Sequence, residues 1–275
     1  MVAPPAAGRG YVDTPGGQVH FMASGSGAPL VLLHMTSDAA SQWTSVLPVF
    51  GARGLRAVAL DIPGHGASYT PDFKPGGPDN ARMVIEALDG LGIDRFHLLG
   101  RHFGATVAAW IALRYPQRVR TVTFNGYPMV NEKWRHRLAA DEPRPYRRGG
   151  DEIRRYWATR WRMSDMGRPQ GSPTGFTEAQ ALRTFIAKLQ AGPNWHYAHH
   201  TVAATDHAKM ARSIEIPVLV LTGRRDYFFE ENRTAASLFP DGRFLELPDG
   251  GVDAIDELTD LFCETVVAFI EEKGS

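Results

Sequence analysis

Residues 97–110, HLLGRHFGATVAAW, set an imidazole between two glycines at a point where chain geometry can make a side chain reactive. A strand-like apolar run ends at Leu99, Gly100 and Gly104 stand two places before and after His102, and a helical pattern follows. So sharp a strand-to-helix turn holds its apex residue in a strained backbone conformation and aims the side chain into a pocket. Small neighbours let strand and helix close around the apex, and Gly100, Gly104 and Ala105 provide them. Histidine also tolerates unusual φ better than a β-branched residue. An imidazole so presented can act as a general base on water or on an acidic substrate proton, typically worth ~10²–10⁴-fold. It can instead attack a carbonyl, forming an acyl-imidazole that water then clears. The base role is preferred, because no second base is evident to assist breakdown of an acyl intermediate.

Elements that could position such a turn are legible on both sides of it. QVHFMAS (18–24), APLVLLH (28–34), LRAVALD (55–61), RFHLLG (95–100) and VRTVTFNG (119–126) read as strands, several almost wholly apolar as in a sheet buried on both faces. SQWTSVLPVF, NARMVIEALDGLGI and FGATVAAWIALRY read as helices between them. The βαβ alternation implies a parallel sheet with helices on both faces. From about Tyr127 to Ser213 it stops, and NEKWRHRLAADE, DEIRRYWATRWRMSD, TEAQALRTFIAKLQAG and NWHYAHHTVAATDHAKMA read as helices without strands. EPRPYRRGG and MGRPQGSPTG are the proline- and glycine-rich joints between them. The alternation resumes with IPVLVLTGRRD, FEENRTAASLF, GRFLELPDGG and a closing helix to Lys273. A helical block between two strands of one sheet reads as an inserted cap over a pocket at the strand ends. The expected division is a core of residues 1–127 and 214–275 with a cap of residues 128–213.

Composition narrows the partners. Lys+Arg and Asp+Glu are both 30, so a formally neutral chain gives no reason to expect nucleic acid or an anionic membrane. No run approaches the roughly 18 apolar residues of a membrane span, and MVAPPAAGRG has no apolar signal core, so a soluble, cytoplasmic protein is expected. The single cysteine, Cys263, excludes an intrachain disulfide and reads as the packed face of the last helix. There is no H-E-x-x-H and no cysteine cluster, so neither a metal nor a cofactor is expected.

Taken together, these motifs resemble the α/β-hydrolase superfamily over essentially the whole length, from about Tyr11 to Ile270. VLLHMTSDAASQW matches the oxyanion-loop region, Asp61 to Ser68 the D-x-P-G-H-G-x-S loop, Gly100–Gly104 the nucleophile elbow G-x-S-x-G, and LTGRRD the acid loop ending at Asp226. The resemblance implies an α/β-hydrolase fold, with a mostly parallel eight-stranded sheet flanked by helices and an inserted helical cap. Two positions depart from the pattern. His102 replaces the nucleophile, and Val252 stands in LELPDGGVDAIDE where the superfamily's catalytic histidine belongs. LLHMTSDAASQW, GRHFGA and FNGYP further resemble a subset of members with a G-x-H-x-G elbow.

The two departures compensate. An imidazole at the serine position reaches into the space that the usual histidine occupies, and Val252 leaves that space without a competing ring. His102 is therefore expected to hydrogen-bond Asp226 through one nitrogen and face substrate with the other, the carboxylate fixing the tautomer. The resemblance implies that backbone N–H groups of Phe103 and of Thr36 or Met35 hold a developing oxyanion, Thr36 being preferred. His34, Tyr127, Trp195, Tyr197, His200 and Val252 are the expected pocket lining, with His200 a second acid–base candidate. Trp195, Tyr197 and His199 are expected on one side of their segment, and His196 and His200 stand at i, i+4. His65, Asp61 and Ser68 read as structural. RRYWATRWRM (154–163) reads as a cap helix with its aromatic face down and its arginines in water, or as a selector of aromatic or anionic ligands.

These readings converge on a cofactor-free enzyme acting on a small carbonyl compound: an ester, a lactone or the C–C bond of a diketone. The alternatives are a lyase or cyclase using the same pocket, and a ligand-binding protein that has lost hydrolase chemistry. A ring pinned by Asp226 suits catalysis; a ring without a partner suits binding.

Overall fold

The computed structural model describes residues 7–142, 146–164 and 177–274. Eight strands build one sheet: β1 (Ala7–Thr14), β2 (Gly17–Ser24), β3 (Ala28–Leu33), β4 (Leu55–Leu60), β5 (Phe96–Arg101), β6 (Val119–Asn125), β7 (Val218–Gly223) and β8 (Gly242–Leu247). Their order is β1-β2-β4-β3-β5-β6-β7-β8; β2 runs antiparallel to β1 and β4, and the other pairs are parallel. Successive side chains of a strand point to opposite faces, and the apolar runs exploit both. On β3, Val31 and Leu33 enter one core with helices α2 (Gly77–Gly90) and α3 (Phe103–Arg114), while Leu30 and Leu32 enter another with α1 (Leu47–Ala52) and α11 (Thr259–Lys273). Cys263 is buried in the second core.

Between β6 and β7 lie only helices among the described residues: α4 (Glu132–Ala139), α5 (Asp151–Ser164), α6 (Glu178–Gln190), α7 (Tyr197–Ala204) and α8 (His207–Ser213). Helices α9 (Phe229–Ala236) and α10 (Ala254–Glu257) complete the chain. The joint MGRPQGSPTG lies outside the described residues, as do residues 1–6 of the N-terminal stretch and 143–145 of EPRPYRRGG. No described helix is long and apolar enough to cross a membrane.

Three elements differ from the sequence reading. β1 is an extra strand, because AGRGYVDT carries little apolar alternation and gains its order by pairing along its whole length with β2. SQWTSVLPVF is not one helix: a 3-10 turn at Ala40–Trp43 ends before α1, whose first turn holds Pro48. NWHYAHHTVAATDHAKMA likewise divides, because Asp206 accepts the Lys209 N–H at 3.0 Å and caps a new helix, α8.

The loop after β4 is fastened by Asp61. Its carboxylate accepts from the backbone of Ala40 at 2.5 Å and Ala67 at 2.8 Å and meets His20 Nδ1 at 2.9 Å, while Ser68 Oγ donates to the Asp61 carbonyl at 2.7 Å. Asp61 and Ser68 are scaffold, as their motif implied. His65 is buried between His34 and Phe103, with ring centroids 5.0 and 5.7 Å away.

Burial of histidine gives the fold an acid limit. Desolvation pushes His65 and His207 down to about 3 and His97 to about 4, and it lowers His34 as well. The folded chain keeps these rings neutral where the unfolded chain takes up protons, so each withdraws stability as pH falls from about 6.5 toward its depressed folded value. Each ring is expected to contribute a slope on the order of 1.4 kcal/mol per pH unit in that window. Urea unfolding between about pH 6.5 and 4.5 checks this: the midpoint should fall steadily with net proton uptake, and a flat or rising midpoint would contradict it.

Candidate functional site

The elbow between β5 and α3 is built by exclusion. Cβ atoms placed at Gly100 and Gly104 would lie 2.3 Å from the Gly104 carbonyl oxygen and 2.1 Å from that of Leu33, so neither position accepts a side chain. His102 then adopts φ 46°, ψ −106°, a left-handed conformation costly for a non-glycine residue. Its N–H donates to the Asn125 carbonyl at 3.1 Å, and its carbonyl accepts from Ala105 at 2.9 Å and Thr106 at 3.1 Å. Sheet and helix thus both hold the strained residue.

The ring reaches the acid loop. His102 Nε2 lies 3.0 Å from Asp226 Oδ2, while Asp226 Oδ1 accepts the Phe228 N–H at 3.0 Å. One carboxylate oxygen therefore shapes the turn into α9, and the other orients the imidazole. Burial works to raise the Asp226 carboxyl, but the His102 charge and hydrogen bond, the Phe228 N–H and Arg101 outweigh it and hold the group below its usual range. An ionised carboxylate only accepts, so Nε2 is the nitrogen that donates to Asp226, and in the neutral tautomer Nδ1 is the one with the lone pair. Nδ1 makes no hydrogen bond among the described residues, and the side chain retains 11% exposure. Gly126 (φ +76°) supports the ring from beneath, where a Cβ would sit 2.2 Å from Cδ2 and 2.5 Å from Nε2. Phe228 meets the ring edge-on at 5.7 Å between centroids.

The loop after β3 offers hydrogen-bond donors to the same region. Met35 N–H is committed to Gln42 Oε1 at 3.0 Å, and Gln42 Nε2 is itself held by Asp38 Oδ2 at 2.8 Å. Among the described residues the N–H groups of Thr36 and Phe103 donate to no acceptor. Gln42, which had no role in the sequence reading, is what distinguishes Met35 from Thr36.

Beside the elbow, α5 and α6 face the loop after β8 across a cavity of about 620 Å³, counting the space at its mouth. Met35, Thr36, Val252 and Arg101 line it, and His102, the residue after Arg101, is not part of that lining. The other expected lining residues lie elsewhere. His34 is fully buried, with Nδ1–H bonded to the Met35 carbonyl at 2.8 Å and Nε2 accepting from Ile62 N–H at 3.0 Å, so both nitrogens serve the loop. Tyr127 is fully buried and donates its hydroxyl to the His207 carbonyl at 2.8 Å. Trp195 packs against Tyr156 and His199, and Lys188 Nζ sits 3.7 Å from its ring centroid. His200 Nε2 bonds the Asp141 carbonyl at 2.6 Å, away from the cavity, which removes the geometric basis for a second acid–base. Tyr197 lines a smaller pocket with His65 and Phe103. It packs against His196 and His200, not beside Trp195 and His199 as its spacing suggested, because a 3-10 turn precedes α7.

Charge in the cavity was missed. Arg160 is not in water: Nη2 bonds Asp253 Oδ1 at 2.5 Å with 11% side-chain exposure. Arg183 Nη2 similarly bonds Asp256 Oδ2 at 2.7 Å. Arg101 is buried at the end of β5. The available signal was an arginine within a strand otherwise buried throughout, facing a DAIDE segment that follows the last strand.

A family model described as alpha/beta hydrolase fold matches residues 28–150. A 2-hydroxy-6-oxononadienedioate/2-hydroxy-6-oxononatrienedioate hydrolase of Paraburkholderia phymatum is 37% identical over 114 residues, which are 40% of this chain and 40% of that enzyme. The match thus spans less than half the length of that relative. A fluoroacetate dehalogenase of Burkholderia sp is 25% identical over 97% of this chain and 95% of its own. The crystal structure of the enol-lactonase from Burkholderia xenovorans LB400 superposes with a TM-score of 0.74 over 95% of this chain and all of that one, at 19% identity.

The contact between His102 and Gly126 makes a stability prediction. Gly126→Ala should cost about 1–2 kcal/mol for its left-handed backbone, plus the penalty of displacing the ring. In a His102→Ala background only the backbone part should remain. Urea denaturation of the single and double variants measures the difference, and additive effects would show that the two residues do not compete for space.

Proposed function

We propose, with the α/β-hydrolase fold as the premise, that this chain is a cofactor-free hydrolase of a small carbonyl compound, an ester, a lactone or a diketone cleaved at a C–C bond. His102 and Asp226 take the place of a Ser-His-acid triad. The observation that carries the reading is the 3.0 Å bond from His102 Nε2 to a carboxylate, with Nδ1 bonded to no described residue and the preceding residue, Arg101, in the lining of the cavity. Residues 128–213 serve as the cap over that cavity, and residues 1–127 and 214–275 as the core.

In this mechanism Nδ1 takes a proton from water while the oxygen bonds to the substrate carbonyl carbon. The imidazolium that forms is stabilised by Asp226, which stays ionised. Negative charge gathers on the former carbonyl oxygen, where the uncommitted N–H groups of Phe103 and Thr36 donate to it. Collapse of the tetrahedral species breaks the C–O or C–C bond, and Nδ1–H returns its proton to the leaving oxygen or carbon. Val252 contributes by its lack of function: a second imidazole there would compete for Asp226. Two of the similar proteins are named for an oxo acid and an enol lactone, both carbonyl compounds, which supports the substrate class.

Turnover of p-nitrophenyl esters, lactones and a 1,5-diketone by the native chain, His102→Ala and Asp226→Asn tests the reading. Both variants should lose ~10²-fold or more in kcat/KM. An unimpaired His102→Ala would end the base assignment. Absence of turnover with every class would favour ligand binding, or lyase chemistry in the same cavity.

A further inference from the structure

Among the described residues, the three guanidinium groups of the cavity pair with only two carboxylates, while Lys188, the fourth cation of the lining, lies over the rings of Tyr156 and Trp195. Arg183 has Asp256 and Arg160 has Asp253. The Arg101 side chain makes no hydrogen bond among the described residues, and its Nη2 is completely buried. Its ion pair, at 4.0 Å, is to Asp253 Oδ1, the oxygen that Arg160 already holds at 2.5 Å. Two guanidinium groups thus share one carboxylate oxygen. The remaining carboxylate of the lining, Asp38, is engaged by Gln42 Nε2 at 2.8 Å and by the Ala39 N–H at 3.0 Å. Burial raises the Asp38 carboxyl above its usual range, which weakens it further as a counter-charge.

Resting on the hydrolase reading, we infer that Arg101 is the seat for a carboxylate of the substrate, which the enzyme binds as a monoanion with an aromatic or apolar body. A guanidinium presents paired N–H donors in the geometry of a carboxylate, and the bond is strongest where water is excluded. The sign and size of the anion follow from the surroundings. Asp253 and Asp256 already hold Arg160 and Arg183 in the same lining, so the ligand meets the one guanidinium of Arg101, which matches a single carboxylate better than the two charges of a phosphate monoester. The body of the ligand meets Met35, Val252, Tyr156 and Phe185, which supply apolar and aromatic surface. Arg101 and His102 are consecutive, so the seat and the proposed base belong to the same turn. Arg101 is thereby a specificity-determining residue.

Calorimetric binding of phenylacetate and of its neutral isostere phenylacetamide tests the seat without relying on turnover. The native chain and His102→Ala should both bind the carboxylate about tenfold or more tighter than the amide. Arg101→Met, which keeps length and loses charge, should bind both alike, and Arg101→Lys should retain only part of the preference. Phenyl phosphate should bind more weakly than phenylacetate. Equal binding of acid and amide by the native chain, or a preference that survives Arg101→Met, would overturn the proposal. Should Arg101→Met not fold, the native comparison and Arg101→Lys still decide. A protein that prefers carboxylates but turns nothing over keeps the seat and loses the hydrolase reading. Turnover of neutral esters with no carboxylate preference does the reverse.

Discussion

Lack of space at one turn governs the site. Gly104 lies so close to the Leu33 carbonyl that α3 is pressed onto β3, and the chain can turn there only by forcing His102 into positive φ. That conformation is unfavourable by itself and persists because the Asn125 carbonyl and the first turn of α3 both bind the His102 backbone. The side chain then has one direction to go. It lies over Gly126, edge-on to Phe228, with Nε2 delivered to Asp226. Orientation of the imidazole is therefore a consequence of backbone packing across β3, β5 and β6, and the hydrogen bond to Asp226 selects its tautomer.

The same crowding accounts for a co-occurrence seen in the sequence. GRHFGA and FNGYP are separated along the chain but meet at the ring of His102, where position 126 can carry no Cβ. A ring at the apex and a glycine beneath it form one feature written in two places. Val252 belongs to it as well. A buried apolar residue there asks nothing of Asp226, whose two oxygens are already divided between His102 and the Phe228 N–H. An unpaired second imidazole in that position would carry a desolvation cost without a partner to offset it.

Much of the fold was legible because it rests on local pattern. Apolar strands alternating with amphipathic helices gave the central sheet, and the turn glycines located the elbow. The His102–Asp226 contact was also legible, since a longer side chain at the apex and a vacated position 252 leave few other arrangements. What could not be read depends on long-range pairing or on helix rotation. β1 is ordered by its register with β2 rather than by its own composition. Trp195, Tyr197 and His200 sit where a 3-10 turn and a single bond to Asp141 rotate them. Arg101 looked like an incidental residue in a motif, because its meaning lies in carboxylates some 150 residues downstream, at Asp253 and Asp256.

Those downstream carboxylates define how the α5–α6 face meets the core. Arg160–Asp253 and Arg183–Asp256 are largely buried pairs joining each helix to the segment after β8. Desolvation cancels much of the attraction in such pairs, so they add little net stability over an apolar contact of the same shape. Their direction is the more useful property. A guanidinium satisfied by a carboxylate tolerates little sliding, whereas an apolar face tolerates a good deal, so two such pairs fix the position of α5 and α6 along the cavity wall. Fixing that wall with charge keeps the apolar surface of Tyr156 and Phe185 for the interior of the cavity. Cavity shape and cavity charge are thus set by the same four residues, and a substitution at any of them alters both.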